Sequence, residues 1–478
     1  MYDVIIIGAG ISGTTLAREC SKYQLKTLVL EKEYDVATES TMANSAIVHS
    51  GHDPLPGTLK AKFNVLGNRM YQQMSSELDI PFMQCGGIVV ATSGSEAETL
   101  KELYDRALIN GLSKDEVKFL SRKDIKQREP NISDFVIAGL DLPTTSVTFP
   151  WEAAIANMEN AMDNGVSLEL ECKVLDIKKE THFKITTNKG LFESKVVVNA
   201  SGIFAAKVES LYRTPSYNIK PRRGEYYVLD KDIYEINSVL YPVPSKLGKG
   251  VIITPQYHGN VLLGPTSEFV DFADVSKTTP SGLEFVKHFS ERSVKNIPYH
   301  KVIRSFAGGR ATSSTKDFVI NDLNNDGFIN ISGIESPGLT AAPAIAVHVV
   351  EELISKHIEL VENESFNPIR RKVVRTNELD KSKLNQLVKE DKRYGKLVCQ
   401  CEKITEGEIV DSINRNCGAR SITGVKNRVR AGAGRCQGGF CQTEVIRILS
   451  RELKIDKMKV NYSKEGSYVL KARTKGEV

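Results

Sequence analysis

The chain has 478 residues, is 41% hydrophobic and 26% charged, and carries 64 Lys+Arg against 59 Asp+Glu, a formal charge of +5. Its length calls for two or three domains, because single cores rarely grow past roughly 250–300 residues. The composition excludes collagen-like, disordered and disulfide-scaffold classes, the slight charge excess gives no reason to expect a nucleic-acid partner, and no apolar run reads as approaching the roughly 18–20 residues of a membrane span.

In chain order, residues 2–8 read as a buried strand, 13–23 as an amphipathic helix and 27–31 as a second apolar strand, a βαβ start. Because the first strand begins almost at Met1, no signal or transit peptide is expected, and the expected location is cytoplasmic. Further strands are expected at 87–92, 195–199, 225–229, 250–254, 260–264 and 328–332, with a helix at 341–356. Antiparallel signals concentrate around 80–95 and 215–310. The expected fold class is therefore α/β. Residues 1–365 read as a Rossmann-like dinucleotide-binding domain interleaved with an antiparallel-sheet substrate domain, the insertions lying at roughly 80–150 and 205–310. Residues 366–395, dense in charge, read as a solvated connector, 396–453 as a small cysteine-ligated helical module, and 454–478 as a polar tail.

Gly8-Ala9-Gly10-Ile11-Ser12-Gly13 is a G-x-G-x-x-G between a strand and a helix. Gly8 permits the tight turn, Gly10 lets backbone approach a pyrophosphate, and Gly13 lets helix and strand pack closely, with the helix N-terminus facing phosphate charge. Glu31, at the end of the second strand, suits a ribose diol and disfavours a 2′-phosphate. The fingerprint does not separate FAD from NAD; a single site at the N-terminus, with no second phosphate-binding turn, favours FAD.

Asn44-Ser45-Ala46-Ile47-Val48-His49-Ser50-Gly51 and the following Gly57-Thr58-Leu59-Lys60-Ala61-Lys62 resemble a stretch shared by FAD-dependent glycerol-3-phosphate dehydrogenases or oxidases and L-2-hydroxyglutarate oxidases, both of the D-amino-acid-oxidase-like superfamily. Val198 to Gly202, Arg223 to Tyr227 and Gly333 to Thr340 are similar to further stretches of that superfamily, so the resemblance covers roughly residues 1–355. It implies flavin contacts from Gly8, Gly10, Ser12, Gly13, Glu31, Asn44, Ser45, Ala46, Val174, Ser201, Gly202, Gly338, Leu339 and Thr340, and an anion clamp at Arg310, with Tyr257 and Ser336 as hydroxyl donors to substrate. The chemistry is alcohol oxidation, in which the hydroxyl loses a proton and the carbon a hydride. His49 is the candidate base, since imidazole titrates near roughly pH 6.5; a purely positional role is its alternative, and His52 competes for the task. Glycerol 3-phosphate is the first choice of substrate, with dihydroxyacetone phosphate as product, and L-2-hydroxyglutarate the second, because Arg310 is the one strong cation the sequence places near the site.

Cys399-Gln400-Cys401 and Cys436-Gln437-Gly438-Gly439-Phe440-Cys441 offer four thiolates in two close pairs, the donor set of a 2Fe–2S cluster or of structural zinc. The segment resembles the bacterioferritin-associated-ferredoxin-like 2Fe–2S domain, although its last spacing is longer than in the free-standing ferredoxin. The basic side chains of Lys426, Arg428, Arg430 and Arg435 read either as a dock for an acidic partner or as a solvated face. Together these features imply a dehydrogenase whose electrons leave through the cluster to an electron-accepting protein or partner subunit. An oxidase delivering electrons to oxygen, and a subunit of an amine or proline dehydrogenase complex, remain the alternatives, and the oligomeric state stays open.

Overall fold

The computed structural model describes residues 1–244 and 250–472; parts of the expected second insertion and of the expected tail, 245–249 and 473–478, lie outside the described residues. The Tyr2–Ile7 strand is the centre of an eight-stranded sheet. It pairs in parallel with Thr27–Leu30 on one side and Gly190–Asn199 on the other. Val4, Ile5 and Ile6 are fully buried, as the continuous apolar run of a two-sided parallel strand requires. The Gly190–Asn199 strand serves two neighbours along one edge. Its first half closes an antiparallel hairpin onto Phe183–Thr187, and its last residues pair in parallel with Phe328–Ser332.

Helices Ile11–Cys20, Leu59–Leu78, Pro150–Asp163 and Gly338–His348 cover this sheet, with Leu16, Phe63, Met158 and Ile345 in one core with Val4 and Ile6. A Cβ at Gly67 would overlap the Thr340 carbonyl, so that glycine sets the contact between the second and fourth of these helices. The fourth begins three residues before the expected 341 and continues through a π-type turn, Val349–Leu353, and a tight turn, Ile354–Lys356. By length and composition residues 338–356 are apolar enough to span a membrane, which corrects the expectation that no run approaches that length. Ala341, Ile345, Val349 and Ile354 are buried in the core, and a helix enclosed by protein needs the same composition as one enclosed by lipid.

A second, nine-stranded sheet draws its strands from residues 87–142 and 219–313. The long Ile219–Leu229 strand runs antiparallel to Val302–Ser313 along its whole length. On its other edge it pairs with Val261–Gly264 and Glu268–Phe269. Strands Ile252–Pro255, Val239–Pro242, Gly87–Ala91, Ala138–Leu142 and Lys118–Ser121 complete the order. A small three-stranded sheet of Ile47–Val48, Ser146–Thr148 and Phe82–Met83 lies beside the two.

The C-terminal module has its own core, Ile409, Val425, Val445, Ile448 and Leu449, contributed by helices Glu406–Asn414, Ile422–Val429 and Gln442–Leu453. The segment before it is mostly exposed, as in Arg371, Lys372, Lys381, Lys383 and Lys389, but docks at two points. Arg370, 7% exposed, bonds Glu159 at 2.7 Å, and the same carboxylate takes Arg415 of the module at 2.8 Å. Thr376 donates through both its N–H and its hydroxyl to Glu408. These contacts dock the segment at Arg370 and Thr376, while most of its charged side chains, those of the Lys381–Glu390 helix among them, stay exposed. The tail likewise folds back: the Thr423 N–H donates to the Tyr462 carbonyl, and Val460 is buried.

Candidate flavin and substrate site

The glycine turn is tightly determined. Gly8 sits at φ +107°, and a Cβ there would come 2.6 Å from the Ala200 carbonyl oxygen. A Cβ at Gly13 would overlap the Gly8 carbonyl. The Ile11 N–H donates to Thr41 Oγ1 at 3.0 Å, tying the helix start to the segment that follows the second strand. Glu31 accepts from the Ala9 N–H at 2.7 Å and from the Glu33 N–H at 2.9 Å, and burial pushes its carboxyl up. It braces the turn from the strand end. Val174 packs beyond it against the cluster containing Ile5, Ile7, Leu28 and Leu30.

From this turn a cavity of about 750 Å³ runs beneath the second sheet. Gly10, Ser12, Asn44, Ser45 and Gly202 line one end, and Ser336, Gly338 and Leu339 line the wall at the start of the apolar helix. Gly8, Gly13, Glu31, Ala46, Val174, Ser201 and Thr340 are not among the lining residues. Several of these shape the wall from behind. Asn44 accepts the Ala46 N–H at 2.8 Å, holding Ala46 at φ +62°, and Ser201 donates to Asn199 at 2.6 Å. The long cavity, together with glycine positions that exclude any Cβ, fits an extended dinucleotide such as FAD.

His49 faces the cavity at the end of the Ile47–Val48 strand. Its N–H donates to Thr340 Oγ1 at 2.9 Å, and its carbonyl accepts from Asn64 and Asn68 at 2.7 and 3.1 Å. The ring lies 3.4 Å from Ser336 Oγ through Nε2 and 3.3 Å from the Tyr241 hydroxyl through Nδ1. His52, by contrast, is 4% exposed, bonded to Ser50 and edge-on to Tyr241, and does not line the cavity.

Tyr257 is not among the residues that line the cavity. Tyr257 is 38% exposed and sits in the turn between strands Ile252–Pro255 and Val261–Gly264, whereas the cavity touches Ile252 at one end of that hairpin and Pro265 at the other. Strands advance about 3.3 Å per residue, so the turn lies more than about 10 Å from Ile252 along the strand. Tyr226 lines the cavity and bonds Ser45 Oγ at 3.1 Å, and Tyr241, behind the lining, meets the His49 ring. Sequence reasoning missed both, since only strand register shows which tyrosines point inward.

Arg310 lines the cavity, donates to the Thr266 carbonyl at 2.6 Å, and makes no ion pair among the described residues. It is not the only cation there. Lys60 and Arg222 also line the cavity, both bound to the half-buried Glu335, at 2.8 and 3.0 Å. Thr312 adds a 2.7 Å bond to the same carboxylate. Burial opposes the charge on Glu335, but Lys60 and Arg222 outweigh it and hold its pKa below the usual range.

In the module, the thiols pair across the sequence rather than within it. Cys401 and Cys436 sulfurs are 3.6 Å apart, and Cys399 hydrogen-bonds Cys441. That bond, with backbone N–H groups of Gly432 and Glu402, pulls the Cys399 thiol down to about 6. Backbone N–H groups of Phe440 and Gly438 reach Cys436. As they stand, no three or more His, Cys, Asp or Glu side chains among the described residues are grouped as a metal site; the donor chemistry, four thiols and several N–H groups, suits a thiolate-held cluster. Cys417 lies apart beside Arg428, its thiol pushed up to about 12 by burial. The basic side chains are largely engaged internally rather than forming a solvated face. Arg428 pairs with Asp35, Arg430 pairs with Glu402 and caps the Phe149 ring, and Arg435 remains 71% exposed.

The family model for FAD dependent oxidoreductases matches residues 3–352, and that for BFD-like 2Fe-2S binding domains matches residues 397–451. A glycerol 3-phosphate dehydrogenase of Caloramator mitchellensis is 47% identical over 483 residues, covering 100% of both chains. An L-2-hydroxyglutarate dehydrogenase of Escherichia coli is 31% identical over 275 residues, 56% of this chain and 64% of that one. The dithionite-reduced, FAD-bound L-alpha-glycerophosphate oxidase of Mycoplasma pneumoniae superposes with a TM-score of 0.74 at 30% identity, covering 77% of this chain and 98% of its own. No finding supports zinc at the four cysteines.

Proposed function

We propose that this chain, which belongs to the FAD dependent oxidoreductase family, oxidises sn-glycerol 3-phosphate to dihydroxyacetone phosphate. The supporting observation is that one cavity contains the FAD-compatible turn, His49 and a cationic corner around Arg310. FAD held at Gly10, Ser12 and the Gly338–Leu339 helix start would supply a two-electron acceptor for the substrate hydride.

The protein's own groups do the rest. Arg310 binds the anionic end of the substrate and so orients the secondary alcohol. His49 takes the hydroxyl proton at Nε2, with Nδ1–H directed to the Tyr241 oxygen; Tyr241 stays a neutral phenol because burial raises its pKa. The bonds from Thr340, Asn64 and Asn68 to the His49 backbone fix the ring's position. Ser336 Oγ, near Nε2, is placed to bond the same substrate oxygen. The start of the Gly338–His348 helix lines the cavity, so its dipole would favour negative charge developing there.

Cys399, Cys401, Cys436 and Cys441 are the proposed ligands of a 2Fe–2S cluster, a one-electron centre suited to an electron-accepting partner protein. All eight cysteines are free thiols, in keeping with the proposed cytoplasmic location.

The test is an anaerobic absorbance titration of the flavin-loaded protein with glycerol 3-phosphate. Bleaching of the flavin bands supports the assignment. No bleaching with glycerol 3-phosphate, but bleaching with L-2-hydroxyglutarate, transfers the assignment to the second substrate. Stoichiometric peroxide in air would mark an oxidase.

A further inference from the structure

Arg222 and Arg310 are direct cross-strand partners, on Ile219–Leu229 and Val302–Ser313. Partners in an antiparallel pair share a face of the sheet with Cβ atoms about 5 Å apart, and like charges so placed destabilise the sheet. Both arginines nevertheless line the cavity. The surroundings make the arrangement specific. Arg310 lies across the neighbouring strand at Gly224, where a Cβ would come 2.5 Å from Nη2. Arg222 is anchored by Nη2 to Glu335, while its Nε is buried with no hydrogen-bond partner among the described residues. Burial first, and the charge of Arg222 besides, pull the pKa of Arg310 down. Lys60 and Arg222 share the carboxylate of Glu335, whereas Arg310 makes no ion pair among the described residues. Glu96 and Glu268, which also line the cavity, are paired with Arg292 and Arg223, so the corner around Arg222 and Arg310 keeps an excess of positive charge that suits the roughly −1.5 to −2 of a phosphate monoester at pH 7 better than the −1 of a carboxylate.

We propose that Arg222 is the second arm of an anion clamp with Arg310, built for a phosphomonoester dianion, and that it sets the preference for phosphate over carboxylate. Glu335 and Thr312 hold Arg222 in place, and the clamp accepts two or more phosphate oxygens through charge-assisted bonds. The inference deepens the glycerol 3-phosphate reading and rests on it for the identity of the phosphate ester; the clamp itself is testable with inorganic phosphate.

The experiment uses the full flavin-loaded chain and its Arg222→Gln and Arg222→Lys variants. Affinity for inorganic phosphate and for acetate is read by thermal shift and by inhibition of turnover. Arg222→Gln is expected to weaken phosphate binding and raise the KM for glycerol 3-phosphate about tenfold or more, with a smaller loss for acetate. Arg222→Lys, which keeps the charge but loses the fork, should fall between the two and serves if the glutamine variant does not fold. Phosphate affinity within twofold of the parent in Arg222→Gln, or equal losses for phosphate and acetate, overturns the clamp. A parent chain that binds phosphate in an Arg222-dependent way, yet leaves its flavin oxidised with glycerol 3-phosphate, upholds the clamp and removes the substrate assignment instead.

Discussion

Arg428 closes on Asp35 with both terminal guanidinium nitrogens at 2.8 Å, and the two side chains are 6% and 4% exposed. Residues 393 apart in sequence thereby join the cysteine module to the segment that wraps the dinucleotide turn. Two residues on, the Ala37 N–H donates to the Ala9 carbonyl, and Thr41 holds the helix start. Replacing Arg428 by Met strands a buried carboxylate and should cost about 3–5 kcal/mol. Urea unfolding of the flavin-loaded chain checks this; a loss below about 1 kcal/mol would show that the pair is dispensable.

Steric exclusion at the glycine turn makes Gly13→Ala a sharp test. The added methyl overlaps the Gly8 carbonyl, so the purified variant should lack flavin absorbance. Gly94→Ala, whose Cβ meets nothing within 4 Å, is the matched control and should retain it.

His49→Asn should retain flavin but lower kcat by about 10²–10⁴-fold, the usual range for a lost general base. Tyr241→Phe removes the partner at Nδ1 and should give a smaller loss. Tyr257→Phe, remote from the cavity, should match the parent in steady-state kinetics; a deficit equal to that of Tyr241→Phe contradicts the placement of the two tyrosines.

His258 stacks on Phe149 at 5.0 Å, and Phe149 lies beneath Arg430. Burial first, then the charges of Arg430, Arg375 and Lys231, hold its pKa down to about 3. The folded protein therefore keeps the ring neutral, while the unfolded chain protonates it below about pH 6.5. The contribution to stability is present above pH 6.5 and declines as pH falls toward 3, by up to about 1.4 kcal/mol per pH unit. Glu152, raised to about 7 by burial, acts in the opposite sense. It is present in both proteins when parent and His258→Gln are compared by urea unfolding at pH 7.5 and 5.5. The variant should lose less stability on acidification; identical losses would refute the assignment.

Cys401→Ser and Cys436→Ser each remove one thiol of a close pair. Both variants should lose iron–sulfur absorbance after reconstitution while keeping flavin bleaching by substrate. Retention of the full iron–sulfur spectrum in both would show that the ligands lie elsewhere.

Part of this protein was legible along the chain. The strand at 328–332 appears at the expected residues, and the βαβ start within one to three residues, because glycines, strand and helix are contiguous there and their sterics are local. The four cysteines were likewise identifiable by type and spacing, although how they pair was not. The helix that begins at Gly338 was expected to begin at residue 341, since its first turn carries no capping side chain to mark it.

The amino-acid sequence by itself determined the dinucleotide turn, the alternation of strands and helices, and the chemistry of the side chains that bind and react, because those depend on residue type and short spacing. Tertiary structure alone decided that Tyr241 rather than Tyr257 meets His49, that Arg222 faces Arg310, and that one end of a charged connector docks where Arg370 and Arg415 share Glu159. Each of these depends on strand register or on contacts between distant segments. A shift of one residue in pairing turns a side chain to the other face of a sheet, and no local pattern records it.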